Sequence, residues 1–277
     1  MTTATLTAPT RSVKPVTFPR IVTSEWIKLR TVRATVWTLS VTVAVMVGLA
    51  ALGAWSSTSF FADEPNAFAP ASFPIGGWYF AQLVVVVLGV LSVTGEYSTG
   101  MIRSTFAAVP TRVPALLAKA LTVFGVVLAT ATVAVGLSWL ATLPFLGQMG
   151  VSIDLASAET WRLLLGAPLY LATITVLAFA AGALIRHSAG ALALILGLLL
   201  VIENVFAAIA WRPLQVIAPF LPARAGSTLL VEDNFLGGAS VVDGIVTLGP
   251  WQGYGVLTAW VVVLLGAACV LVRRRDA

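Results

Sequence analysis

An all-α polytopic membrane domain with six transmembrane helices is the fold class this chain predicts, and three observations predict it. Mean hydropathy is +0.99, with 59% hydrophobic and only 10% charged residues, whereas soluble domains carry nearer a quarter charged residues. Six apolar runs are long enough to cross a hydrocarbon core of roughly 30 Å at about 1.5 Å per residue. When those runs alternate across the bilayer, thirteen of the sixteen Lys and Arg residues gather on one face. The positive-inside rule then predicts that both termini are cytoplasmic and that the chain is a multi-pass protein of the cell membrane.

The elements follow in order. Residues 1–19 are rich in Thr and Pro, lack the apolar core of a signal peptide, and are read as a disordered cytoplasmic tail. Residues 20–35, RIVTSEWIKLRTVRAT, place Ile21, Val22, Trp26, Leu29 and Val32 at helical spacing, with Lys28, Arg30 and Arg33 between them. The pattern fits an amphipathic helix lying in the interface, its apolar side in lipid and its basic groups towards anionic headgroups. It also fits the charged flank of the next helix. The spans are expected at about 36–55, 78–94, 119–143, 163–185, 190–211 and 253–272, which makes 36–272 one transmembrane domain before a basic cytoplasmic tail, 273–277. Pro144 is expected to end the third helix and Pro213 the fifth, because a missing amide breaks the hydrogen-bond ladder. Trp55, Trp78, Trp139, Trp161, Trp211 and Trp251 fall near the outer ends, as an interfacial aromatic belt requires.

The excluded classes narrow the function. Cys269 is the lone cysteine and His187 the lone histidine, so neither a disulfide framework nor a His-cluster metal site is available. No metal ligand set, catalytic constellation or nucleic-acid-binding element is expected. The chain has no G-x-x-x-x-G-K-[ST] loop and no soluble stretch that could hold an ATPase fold.

Between the second and third spans, residues 95–118 form the only sizeable loop on the basic face. Gly95 and Gly100 permit sharp turns. Ser98 or Thr99 could cap a short helix over 101–108, with Met101, Ile102 and Phe106 on its apolar side and Pro110 ending it. Physics alone leaves two readings open, an ordinary solvated loop and a docking element. Glu96 could pair with Arg103 or Arg112, or with a base before the first span such as Arg30.

Glu203 is the anomaly inside the membrane. It lies thirteen residues beyond Gly190, roughly 20 Å deep at 1.5 Å per residue. A carboxylate near the centre costs about 2.5–3.5 kcal/mol on the insertion scale, while twelve Leu, Ile, Val and Phe residues of that span return about −6 kcal/mol. The helix still inserts. Glu203 and its neighbour Asn204 are either path-lining residues or structural groups bonded within the bundle. Gln82, Thr122, Thr130, Thr132 and Ser138 are read first as helix-to-helix hydrogen-bonding groups. Gly48, Gly53, Ala178 and Gly182 are read as close-packing points.

The order Glu96-Tyr97-x-x-Gly100-x-x-Arg103, then Pro110-x-Arg112 and Lys119, resembles the first intracellular loop of ABC-2 type transporter permeases. The segment Ser24-Glu25-Trp26-x-Lys28-Leu29-Arg30-Thr31-x-Arg33 resembles the connecting helix of actinobacterial members, and 213–222 (PLQVIAPFLP) their external re-entrant segments. The resemblance implies a cytoplasmic coupling helix that docks on an ABC ATPase through Glu96, Gly100, Met101, Arg103, Phe106 and Arg112. It implies a connecting helix carrying Glu25, Trp26, Lys28, Arg30 and Arg33, and a candidate substrate path near Glu203, Asn204 and Gln82. It further implies a homodimer or heterodimer of permeases that is not itself an enzyme, binds no cofactor, and leaves ATP and Mg to the partner subunit. The rival expectation is an ATP-independent secondary carrier or channel.

Overall fold

A computed structural model describes residues 17–60, 69–101, 112–209, 211–233 and 246–274. Among them the chain is helical, without a strand, and six helices are long and apolar enough to cross a membrane. The expectations placed on Arg103, Phe106, Pro110 and the short helix over 101–108 fall at or into 102–111, outside the described residues, apart from Met101.

Helix α1, Phe18–Thr31, starts with Pro19 in its first turn, where a missing amide costs nothing, and carries Lys28 and Arg30 in its last, where they complement the helix dipole. At Val32 the backbone turns extended (φ −79°, ψ 114°), and α2, Arg33–Phe60, begins at once. Residues 18–31 and the first long apolar stretch are therefore two separate helices. A short 3₁₀ helix, Pro70–Ile75, leads through Gly77 into α3, Trp78–Ser98. Gly77 lies against the backbone of Met46, leaving no room for a Cβ.

Helix α4, Val113–Gln148, is longer than its sequence suggests. Its 36 residues extend about 54 Å at 1.5 Å per residue, beyond a hydrocarbon core of roughly 30 Å. Pro114 in its first turn favours an early start, so the last residues of the expected loop are helical. Pro144 does not end this helix. It sits inside it, and the helix runs on to Gln148, a tolerance common in membrane helices.

Helix α5, Ala158–Ile185, is the centre of the bundle, with 89% of its most apolar window buried. Ser157 caps its start by accepting from the Glu159 amide at 3.2 Å, and Arg186 in left-handed conformation (φ 60°) ends it. Small residues bring α3 against α5. Gly89 packs on Thr175 and Ala178, and Gly182 packs on Val90 and Val93. Van der Waals contact of this kind drives helix association in lipid, where no hydrophobic effect separates helix from solvent. Gly48 and Gly53, expected to play the same part, have nothing within 4 Å of where a Cβ would stand.

The fifth span is continuous but carries a π-helical turn. Helix α6, Ser188–Leu196, is capped by His187, whose Nδ1 accepts from the Gly190 amide at 3.2 Å. A π-helical turn, Gly197–Ile202, follows, and then α7, Glu203–Ala208. The chain leaves helical geometry at Ile209 (φ −82°, ψ 118°), ahead of Pro213. Pro213 instead opens α8, Arg212–Ile217. After a 3₁₀ turn, Ala218–Phe220, come α9, Pro222–Ser227, and a second 3₁₀ turn, Thr228–Leu230. The last span is α10, Pro250–Arg274.

Candidate functional site

Two polar sites stand at opposite ends of this bundle. At the first, α1 meets the end of α3 and the beginning of α4. Glu25, Glu96 and Lys119 are 2%, 4% and 6% exposed, an unusual depth for charged groups. The Lys28 ammonium donates to Glu25 Oε1 at 2.7 Å and to Glu96 Oε1 at 3.1 Å. The Lys119 ammonium reaches Glu25 Oε2 at 3.3 Å, the Ser92 carbonyl at 3.4 Å, and Glu96 Oε1 in a close ion pair. Two acids and two bases thus close a neutral ring across three helices. Burial pulls the Lys28 ammonium down, but its hydrogen bond to Glu25 and the charge of Glu96 outweigh that and hold it above the ordinary lysine value.

The ring corrects two sequence expectations. Glu96 does meet a base on α1, but the base is Lys28 and not the example Arg30, and Lys119 completes the set. Nor does α1 turn all its basic groups outward. Ile21 and Glu25 are buried against α4, where Ile21 packs with Ala115 and Ala118, while Trp26, Arg30 and Arg33 are exposed. The spacing Glu25–Lys28 was visible in the sequence. The 23-residue separation of Glu96 from Lys119 carried no signal, because the segment between them only closes in three dimensions.

The ring brackets the polar segment directly. Glu96 stands two residues before the end of α3, and Lys119 lies in the second turn of α4. Gly100 adopts the left-handed conformation (φ 73°) just after α3, the turn that its lack of a Cβ permits. Arg112 is also at positive φ (52°), where the chain re-enters α4. Met101 is exposed. The Arg186 guanidinium covers the Tyr97 ring at 5.1 Å from its centroid, tying the turn after α5 to the same end. Glu96 Oε2 and the Tyr97 hydroxyl are buried without a hydrogen-bond partner among the described residues.

At the opposite end, the three expected path residues do come together. Gln82, Glu203 and Asn204 line one cavity of about 130 Å³ with Trp78, Tyr170 and Arg224. Gln82 Oε1 accepts from the Tyr170 hydroxyl at 2.6 Å, and Trp78 meets Tyr170 edge to face at 5.5 Å. Asn204 donates to the Leu200 carbonyl at 2.9 Å, a group of the π turn.

Glu203 has a definite structural task. Its Oε1 accepts from the Ala223 amide at 2.9 Å and its Oε2 from the Arg224 amide at 2.7 Å. These are orphan donors at the start of α9, so a carboxylate twenty residues away caps this helix.

The other end of the same segment is held by Arg162, which sequence reasoning counted only as a charge. It donates to the Leu229 and Val231 carbonyls at 2.9 and 2.8 Å and to Asp233 at 2.8 Å. Glu232 Oε2 accepts from the Ala69 amide at 2.9 Å. Side chains of Glu203 and Arg162, and the backbone amide of Ala69, therefore anchor residues 222–233. Gly226 packs on Tyr170 and Leu257, and Gly253 on the Ala225 carbonyl, so α9 rests directly on α10.

Among the described residues no group of three or more His, Cys, Asp or Glu stands together as a metal site. In comparisons with protein-family models and with curated proteins, no match to this chain was found.

Proposed function

We propose that the chain is the permease subunit of an ATP-driven exporter of the ABC-2 type, moving amphipathic or hydrophobic molecules outward across the cell membrane. Both termini are cytoplasmic, ATP and Mg are held by a separate nucleotide-binding subunit, and two permease chains, identical or related, form the translocating unit. The observation that carries this reading is the buried ring Glu25–Lys28–Glu96–Lys119. A partner pressing on residues 96–112 needs stiff attachments on both sides of that segment. The ring joins its entry, its exit and α1 into one unit, so displacement there moves α3, α4 and α1 together.

The cavity beside Glu203 is the candidate substrate path, closed on one side by the anchored segment 222–233. An ATP-independent carrier would need a carboxylate free to exchange its partner. Glu203 commits both oxygens to backbone amides, which favours the ATP-driven reading.

The test is to purify the tagged chain from its native membrane and photolabel the preparation with an azido-ATP analogue. A stoichiometric labelled partner whose Mg-ATP hydrolysis is stimulated by hydrophobic substrates is expected. Glu96→Gln should lower that stimulation while basal hydrolysis persists. A chain that purifies without any nucleotide-binding partner, yet transports, overturns the proposal.

A further inference from the structure

Two cavities lie in the elbow between α1, α2 and α4, lined by neither the ring residues nor Glu203. The first, about 230 Å³, is walled by Leu29 and Arg30 of α1, Val36 and Leu39 of α2, and Ala129 of α4. The second, about 320 Å³, is walled by Val22, Leu121 and Gly125. Trp26 and Val126 border both, so the two are halves of one groove beneath α1. Taken together they fall in the range of ligand pockets, roughly 300–1,000 Å³. Gly125 leaves open space within 4 Å of where a Cβ would stand.

The groove is mostly apolar, interrupted by Thr35 and Thr130 in one half and Thr23 and Thr122 in the other, with one cation, Arg30, in its lining. Arg33 stands three residues beyond Arg30, across the break at Val32, at the start of α2, and both are exposed. The acids of α1 and α3 are committed elsewhere, Glu25 and Glu96 being closed into the ring with Lys28 and Lys119. No described carboxylate pairs with Arg30 or Arg33. A largely apolar trough lined by one guanidinium, with a second exposed guanidinium three residues on in the chain, matches one chemistry, an acyl chain attached to an anionic phosphate headgroup.

We infer that this elbow is a binding site for one anionic phospholipid per chain, its acyl chain under Trp26 and its phosphate on Arg30 and Arg33. Basic groups at the mouth of an apolar groove between membrane helices recognise anionic lipid in this way. The lipid would brace α1 on the side opposite the ring. It would hold the helix at its angle to α2, which the extended residue Val32 leaves without a continuous hydrogen-bond ladder.

The experiment is native mass spectrometry of the purified chain released from micelles doped with equal phosphatidylglycerol and phosphatidylcholine. Retention of one phosphatidylglycerol per chain, at least about tenfold over phosphatidylcholine, is expected. Arg30→Gln and Arg33→Gln should each lower that preference about fivefold. Ala129→Phe, which fills the groove and leaves the charge unchanged, should abolish retention of either lipid. Both arginines are exposed, so their variants test the proposal even where the Phe variant fails to fold. Equal retention of the two lipids, undiminished retention in the Phe variant, or lipid-free dimers in place of a lipid-bound chain would each overturn it.

Discussion

Replacing Lys119 by Met tests the buried ring most sharply. In the intact protein Lys119 answers both acids, and its side chain is only 8% exposed. The variant leaves Glu25 and Glu96, 2% and 4% exposed, sharing the single ammonium of Lys28, whose own side chain is 33% exposed. Removing one partner from a buried ionic set costs about 3–5 kcal/mol, because the remaining charge is neither solvated nor paired. At roughly 2–4 °C per kcal/mol for a domain of 150–250 residues, the apparent Tm should fall by about 10 °C. Lys28→Met should cost less, since water already reaches that ammonium. The double variant Glu96→Gln/Lys119→Met should recover part of the loss, because the Glu25–Lys28 pair at 2.7 Å stays balanced. Heating followed by fluorescence-detected size exclusion reads these shifts as kinetic stability. The reasoning is refuted if Lys119→Met melts within 2 °C of the parent, or if the double variant loses the full sum of its singles.

Three further outcomes follow from the same geometry. Glu203→Ala removes the cap of α9 and leaves two amides unanswered, which should cost about 1–3 kcal/mol and speed hydrogen exchange at 222–233 while exchange in α5 stays unchanged. Gly253→Ala drives a methyl group into the Ala225 carbonyl and should cost about 1–3 kcal/mol by parting α9 from α10, whereas Gly48→Ala, facing open space, should be neutral in the same melting assay. Lys28 is held above its ordinary value of 10.5, so its contribution is complete below that pH and lost as pH rises through the raised value. The parent should therefore lose stability above about pH 10.5 more steeply than Lys28→Met.

The spans were legible because hydrophobic length is a one-dimensional property: six apolar runs predicted six helices that the structure contains. Their ends were less so. Pro144 and Pro213 read as terminators by propensity, yet one lies inside α4 and the other starts α8, since neighbouring helices and turn geometry decide where a lost amide matters. Gln82, Glu203 and Asn204 were singled out as polar groups in apolar surroundings, and they share one cavity. The sequence held no sign that Glu203 would cap α9, because its partners are backbone amides that any residue supplies. Arg162 escaped for the same reason, its chief partners being carbonyls. The ring was half legible: Glu25 and Lys28 stand at helical spacing, but Glu96 and Lys119 join them only once α3 and α4 are side by side.

Transport by reconstituted chains tests the central claim most directly. Proteoliposomes should carry the chain alone, the chain with the proposed nucleotide-binding partner, and the chain with a variant of that partner unable to hydrolyse ATP. Accumulation of a hydrophobic dye should appear only in the second preparation, only with Mg-ATP, and should fall with Glu96→Gln. Equal dye movement by the chain alone, without nucleotide, would contradict the account.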